Sequence, residues 1–173
     1  MVKKQENVLP FKRGQKVVVL ALTNGEDRLF AGNTLTNSLR SLGLTPERIV
    51  FDDRSTAEEA TAAIAKIKKA DAVIIGLFAR VRSGAKNSIG LPEKGVTVLQ
   101  EALKSDKPVV SIAFGNPYFL RNLPEMKTYI AAYGDMPSLQ RAAANALMGN
   151  SDFYGKLPIT VGDYPRGTGL SLK

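Results

Sequence analysis

The chain has 173 residues, of which 44% are hydrophobic and 23% charged, the mixture of an ordinary globular domain rather than of a disordered chain. It contains neither cysteine nor histidine, which excludes disulfides, thiolate chemistry, serine–histidine catalysis and the commonest transition-metal ligand. The net charge is +8, and half of that excess lies in the first sixteen residues, where Lys3, Lys4, Lys12, Arg13 and Lys16 stand against Glu6.

Residues 1–15 read as a lead-in segment. Lys16-Val17-Val18-Val19-Leu20-Ala21-Leu22 is then a continuous apolar run. Without alternation, it predicts a strand buried on both faces, as in a parallel sheet. Thr23-Asn24-Gly25 ends it. A helix is expected over 30–42, with Leu35, Leu39 and Leu42 on one face and Gly43 just past its end. Arg48-Ile49-Val50-Phe51 is a second strand, stopped by Asp52-Asp53. Ser55-Thr56-Ala57-Glu58 has capping-box spacing. The helix it opens turns Ile64 and Ile67 inward. It runs from Glu58 and Glu59 to Lys66, Lys68 and Lys69, the order that the helix dipole favours.

Ala72-Val73-Ile74-Ile75-Gly76-Leu77-Phe78 is a third buried strand, followed by a loop over 79–91 that holds Arg80, Arg82 and Lys86. Pro92-Glu93 opens a helix with Val96, Leu99 and Leu103 on one face. Val109-Val110-Ser111-Ile112-Ala113-Phe114 is the fourth strand, and Gly115-Asn116-Pro117-Tyr118 ends it. A fifth strand is expected over 127–133. An alanine-rich helix follows over 137–148, closed by Gly149, and a last extended piece is Leu157-Pro158-Ile159-Thr160-Val161. Strands alternating with helices predict a single α/β domain over 16–173. It is a three-layer sandwich with a mainly parallel, doubly wound sheet and helices on both faces. No apolar run approaches the ~20 residues of a membrane span. No basic stripe interleaved with aromatics marks a nucleic-acid surface. The expectation is a soluble protein with neither a nucleic-acid nor a membrane partner; whether it is cytoplasmic or exported is left open.

Ligands of such sheets bind beyond the carboxyl ends of the strands. Asn24-Gly25 carries no dinucleotide or phosphate-loop glycine pattern and reads as a plain turn. Asp52 and Asp53 are suited to a cation or a sugar hydroxyl, but aspartates at strand ends more often serve turns and caps. The stretch from Ala72 to Pro92 holds no carboxylate, while Arg80, Arg82 and Lys86 are present. That loop suits an anion or carboxylate partner, and equally a solvated loop. Pro117 forces the chain out of the sheet, a structural role that admits a cis bond before it. No metal site and no cofactor are expected.

Several segments together resemble the C-terminal α/β-sandwich domain of glycoside hydrolase family 3. They are Asn7-Val8-Leu9-Pro10-Phe11 before the first strand and the strand end Phe114-Gly115-Asn116-Pro117-Tyr118. Further on come Ser138-Leu139-Gln140-Arg141-Ala142-Ala143 with Ala146-Leu147-Met148-Gly149, then Gly155-Lys156-Leu157-Pro158-Ile159-Thr160-Val161, then Gly167-Thr168-Gly169-Leu170. They span roughly the whole chain in the family's order.

The resemblance implies retaining hydrolysis of β-glycosides by a parent enzyme whose nucleophile lies in an N-terminal TIM barrel. In the glucosidase branch, the loop after the third strand of this domain supplies a glutamate acid/base. Here the loop 79–91 has no Glu or Asp, so no catalytic residue is carried over. In the hexosaminidase branch the acid/base comes from an Asp–His pair on the barrel, and both the carboxylate-free loop and Asn116-Pro117-Tyr118 favour that branch. The chain is therefore expected to be a non-catalytic accessory domain of a β-N-acetylhexosaminidase-like enzyme. It would pack on the barrel, with Arg80, Arg82, Asn116 and Tyr118 lining the carbohydrate cleft. The alternative is a stand-alone flavodoxin-like module that binds a sugar or an anionic ligand through the basic loop.

Overall fold

The computed structural model describes residues 1–25, 27–80 and 90–171. Each apolar run becomes a strand: β1 Lys16–Leu22, β2 Thr45–Phe51, β3 Ala72–Leu77, β4 Val109–Ala113 and β5 Tyr129–Ala131. The helices are α1 Asn33–Ser41, α2 Ala57–Lys69, α3 Glu93–Lys104, α4 Phe119–Asn122 and α5 Pro137–Leu147, with a 3₁₀ turn at Asp27–Leu29. The pairings between these five strands are all parallel, in the order β2-β1-β3-β4-β5. The α/β sandwich and its five parallel strands are those expected from the sequence. The registers Val19↔Ile74 and Ile74↔Val110 keep like faces together across the sheet.

The pleat divides the core in two. Val18, Leu20, Leu22, Val73, Ile75 and Leu77 face α2 and α3, where Ala60, Ala63, Ile67, Val98, Leu99 and Ala102 cover them. Val17, Val19, Ala21, Ile74, Val110 and Ile112 face α1 and α5, under Leu35, Leu39, Ala143, Ala144 and Leu147. Burying a Leu, Ile or Val side chain is worth about 1.5–3 kcal/mol, and the central strands bury on both faces. That is why continuous runs rather than alternation mark them.

The helix ends follow from local chemistry. Gly43 N–H donates to Arg40 O and Leu44 N–H to Leu39 O, both at 3.0 Å, which closes α1 in a Schellman motif. The capping box of α2 sits one residue later than its spacing predicts. Thr56 Oγ1 accepts from Glu59 N and Glu59 returns a carboxylate to Thr56 N. Ser55 is engaged by the preceding turn, where its Oγ accepts from Asp52 N at 3.0 Å. In α3 the buried face is Gly95, Val98, Leu99 and Ala102 rather than Val96, Leu99 and Leu103. Gly95 lies against Leu22 and Phe51, where a side-chain carbon would come within 2.7 Å of Leu22 Cδ2, and this close approach rotates the helix. Strand β2 starts three residues early, at Thr45. Pro46 is tolerated because β2 is an edge strand paired only with β1.

The ends of the chain close the β5 side. Val2 N–H donates to Tyr129 O at 2.9 Å and Tyr129 N–H to Lys3 O at 2.8 Å, an antiparallel bridge that covers the sheet edge. Val8 and Phe11 fold back into the α1–α5 core, with Phe11 N–H bonded to Leu147 O. The cis peptide among the described residues is Leu9–Pro10, not the bond before Pro117. The piece from Leu157 to Val161 joins no strand of the sheet. Leu157 instead pairs with the closing segment through Thr168 O and Gly167 N, each at 2.8 Å. Gly169 is so close to Gly155 that a side-chain carbon there would stand 2.4 Å from Gly155 O. Two sequence motifs from the last part of the chain are thus halves of one contact. Finally, Leu170 N–H donates to Met1 O at 2.8 Å.

Ser111, mid-strand in β4, is buried, and its Oγ is the one buried side-chain polar atom without a partner among the described residues. A buried hydroxyl left unpaired costs about 1–3 kcal/mol. Ser111→Ala is therefore expected to leave stability unchanged or raise it by up to about 1 kcal/mol in chemical denaturation. A loss greater than about 1 kcal/mol would show that the hydroxyl is bonded in solution.

Candidate functional site at the carboxyl edge

In the strand order β2-β1-β3-β4-β5 the chain winds in opposite directions from β1 and β3, and the crevice between their carboxyl ends is where ligands of such sheets sit. Here that crevice is bridged by the protein itself. Asn24, buried just after β1, donates from Nδ2 to Arg80 O at 2.8 Å and accepts from Arg80 N at 3.0 Å. One side-chain amide thus satisfies both backbone groups of the residue that opens the basic loop. Below it, the rings of Phe78 and Phe114 stack with centroids 4.6 Å apart and 11° between planes. Beside it, Gly115 leaves β4 so close to β3 that a side-chain carbon would meet Ala79 O at 2.4 Å.

From this anchor Arg80 extends to the rim, where its guanidinium bonds the carboxylate of Asp135, just after β5. Asn116 Oδ1 accepts from Tyr118 N at 2.9 Å, so the Asn-Pro-Tyr turn holds itself. It is also tied to β5, since Tyr129 OH donates to Pro117 O at 2.8 Å. Burial pushes the Tyr129 phenol well above its ordinary range, and it remains a neutral donor. Tyr118 and Tyr133 are both exposed at the rim. Burial raises the Tyr133 phenol above its ordinary value, with a smaller contribution from Tyr118.

The structure thus brings Arg80, Asn116 and Tyr118 to one edge. Arg82 lies outside the described residues, as does the loop from 81 to 89. Asn24, read from sequence as a plain turn, is the anchor of the edge, and an asparagine directly at the end of a fully buried strand was the only signal for it. Nothing local marks Asp135, because its partner is 55 residues away.

Asp52, at the end of β2, is a structural carboxylate. It is buried, accepting from Arg28 Nη1 at 2.8 Å, Arg54 Nε at 2.9 Å, Arg54 Nη2 at 2.6 Å and Arg54 N at 3.0 Å. Burial alone would raise its pKa, but the bonds from Arg54 and Arg28 outweigh it and hold the carboxyl below its ordinary value of 3.8. Arg28 also bonds Ser55 and Glu59. Among the described residues no group of acidic side chains is arranged to hold a metal ion. No helix of those residues is long and apolar enough to cross a membrane. Exposed apolar groups gather at the same edge. Leu29 and Phe30 follow β1, each 72% exposed, and Met136 follows β5 at 56%.

A family model described as "Glycosyl hydrolase family 3 C-terminal domain" matches residues 1–168. A curated "Beta-N-acetylglucosaminidase/beta-glucosidase" from Cellulomonas fimi is 36% identical over 52 residues, 30% of this chain and 9% of that protein. A solved fungal multi-domain family 3 β-N-acetylglucosaminidase, described with a GCN5-related glucosamine N-acetyltransferase region, matches with TM-score 0.74 and 25% identity. The match covers 98% of this chain and 18% of that one. A family 3 β-N-acetylglucosaminidase from Paenibacillus sp. str. FPU-7 shares the fold at TM-score 0.69 and 19% identity, over 86% of this chain and 27% of the other. The chain spans from about a tenth to about a quarter of these relatives.

Two outcomes test this geometry. Asn24→Ala removes both partners of the Arg80 backbone; the loss is expected to be about 1–3 kcal/mol, with faster exchange of the Arg80 amide. Unchanged exchange would count against the clamp. Asp52 has a folded pKa below its unfolded one, so its contribution is complete above about pH 4 and is lost as the pH falls through the folded value. Asp52→Asn is expected to lower stability at pH 7 by about 1–3 kcal/mol and to flatten the acid limb of a stability–pH profile. An acid limb as steep as the wild type's would place the titration elsewhere.

Proposed function

The chain belongs to the C-terminal domain family of family 3 glycosyl hydrolases, and from that premise we propose that it is the non-catalytic accessory domain of a β-N-acetylhexosaminidase-like enzyme. The observation that carries this reading is one of extent. The family match runs through residues 1–168, yet the chain spans only 9–27% of its relatives. The bulk of those enzymes, in this reading a catalytic TIM barrel, lies outside the part that this chain matches. In this reading the barrel joins on the amino-terminal side of residues 1–15, which themselves pack on this domain.

The chemistry at the carboxyl edge supports the same reading. Retaining hydrolysis needs an acid/base and a nucleophile about 5 Å apart. Asp52 is held ionised between two arginines, so it is not poised to give up a proton near neutral pH, and Asp135 is engaged by Arg80. The chain also has no histidine for an Asp–His pair. In this reading the edge is a docking and lining surface. Leu29, Phe30 and Met136 supply apolar contact of the kind an inter-domain interface of roughly 600–1,500 Å² uses. Arg80, Asn116 and Tyr118 face the carbohydrate cleft in this reading, and Arg82, two positions after Arg80 in the sequence, is the fourth candidate for it. The implied substrates are N-acetylglucosaminides.

The purified chain is expected to give no turnover of chromogenic β-N-acetylglucosaminides or β-glucosides. A rate above blank that disappears in Asp52→Asn or Asp135→Asn would make it a catalytic domain and end this proposal. Phe30→Asp with Leu29→Asp, both at exposed positions, should shift the stability of the isolated chain by no more than about 0.5 kcal/mol per site. In an enzyme that contains the barrel, the same pair should weaken domain association.

A further inference from the structure

Beyond the β5 edge of the sheet lies an open cleft of about 720 Å³, lined by Lys3, Tyr118, Arg121, Asp163 and Tyr164 among others. Its size falls in the range of roughly 300–1,000 Å³ typical of small-molecule sites. Three separate parts of the chain build it: the lead-in, α4, and the turn that follows the Gly-Lys-Leu-Pro segment. Val161 and Tyr164 exchange backbone hydrogen bonds of 2.9 and 3.0 Å, making a two-residue turn with Gly162-Asp163 at its tip. Gly162 adopts φ 55°, and a side-chain carbon there would lie 3.8 Å from Arg121 Cα, so the tip rests against α4.

This packing sets an arginine and an aspartate into one cleft without pairing them. Arg121 and Asp163 are both exposed, and neither side chain makes a hydrogen bond or ion pair among the described residues. Lys3 donates one ammonium hydrogen to Pro124 O at 2.8 Å and keeps two more. Two cationic side chains and one carboxylate therefore line the same cleft as Tyr118 and Tyr164.

We infer that this cleft binds a saccharide that carries a carboxylate-bearing substituent. The choice of a saccharide rests on the proposed accessory role in a glycosidase; the rest comes from the lining. A tyrosine ring offers an apolar face to the C–H side of a pyranose. Asp163 accepts from sugar hydroxyls. The Arg121 fork matches a carboxylate in two-point geometry, and Lys3 adds the second positive charge.

The test is amide NMR of the full chain titrated with N-acetylmuramic acid and, separately, with N-acetylglucosamine. Saturable shifts are expected at Arg121, Gly162, Asp163 and Tyr164, with the acidic sugar tighter by about fivefold, the upper worth of an exposed ion pair. Arg121→Ala should remove that advantage and leave the neutral sugar unaffected, while Asp163→Asn should weaken both. Both positions are exposed, and an unchanged spectrum away from the cleft verifies the fold of each variant. No saturable shift with either sugar, equal affinity for the two, or an Arg121→Ala variant that keeps the preference would overturn the assignment. The proposed accessory role is read by turnover and domain association instead. An inactive chain with an empty cleft therefore refutes only this site, and an active chain with an occupied cleft refutes only that role.

Discussion

The carboxyl edge of this domain hangs on one side-chain amide. A parallel sheet wound both ways from its centre opens a crevice between β1 and β3, and backbone groups there have lost their ladder partners. Asn24 meets that need by bonding both the N–H and the C=O of Arg80. Because Asn24 is buried directly after β1, the backbone of Arg80 is tied to a central strand of the sheet. The Phe78–Phe114 stack and the contact of Gly115 with Ala79 O lock β3 to β4 in the same way. What reaches the rim, Arg80 with Asp135 and Tyr118 with Tyr133, is therefore presented by the sheet and not by the loops alone.

Charge at this edge is compensated rather than poised. Asp52 sits between Arg28 and Arg54, Arg28 reaches on to Glu59, and Arg80 holds Asp135. An acid/base catalyst needs a carboxyl whose proton is shared with the reaction near the working pH. A carboxylate ringed by guanidinium groups is stabilised as the anion and serves architecture. The distinction is what the proposed accessory role calls for.

The layered fold was legible because its strands are buried on both faces, so Val17 to Leu22 and Ala72 to Leu77 appear as unbroken apolar runs that only a parallel sheet explains. Helix ends were legible where one residue type has one job, as with Gly43 past α1. Sequence reasoning slipped where a tertiary contact overrode a local pattern. Ser55 has capping-box spacing but is engaged by Asp52, so Thr56 takes the cap. Val96 and Leu103 have the periodicity of a buried face, but the fit of Gly95 against Leu22 and Phe51 turns that helix. At the edge, Arg80 and Tyr118 stood out by position. Asp135 did not, because an ion pair between residues 55 apart leaves no local trace. The closing motifs were recognisable as motifs, while their mutual contact, Gly169 against Gly155, exists only in three dimensions.

The hydrogen bond from Leu170 to Met1 brings the two ends of the domain to one spot beside β5. A polypeptide that enters and leaves at neighbouring points behaves as a cassette. It can be spliced into a larger chain through a single doorway, and modules attached before and after it emerge side by side rather than across its diameter. The geometry also makes the domain a natural subject for circular permutation. A linker of a few residues can join Leu170 to Met1, and the chain can be opened in the turn after α2 or α3, far from the carboxyl edge, without changing the order of strands in the sheet.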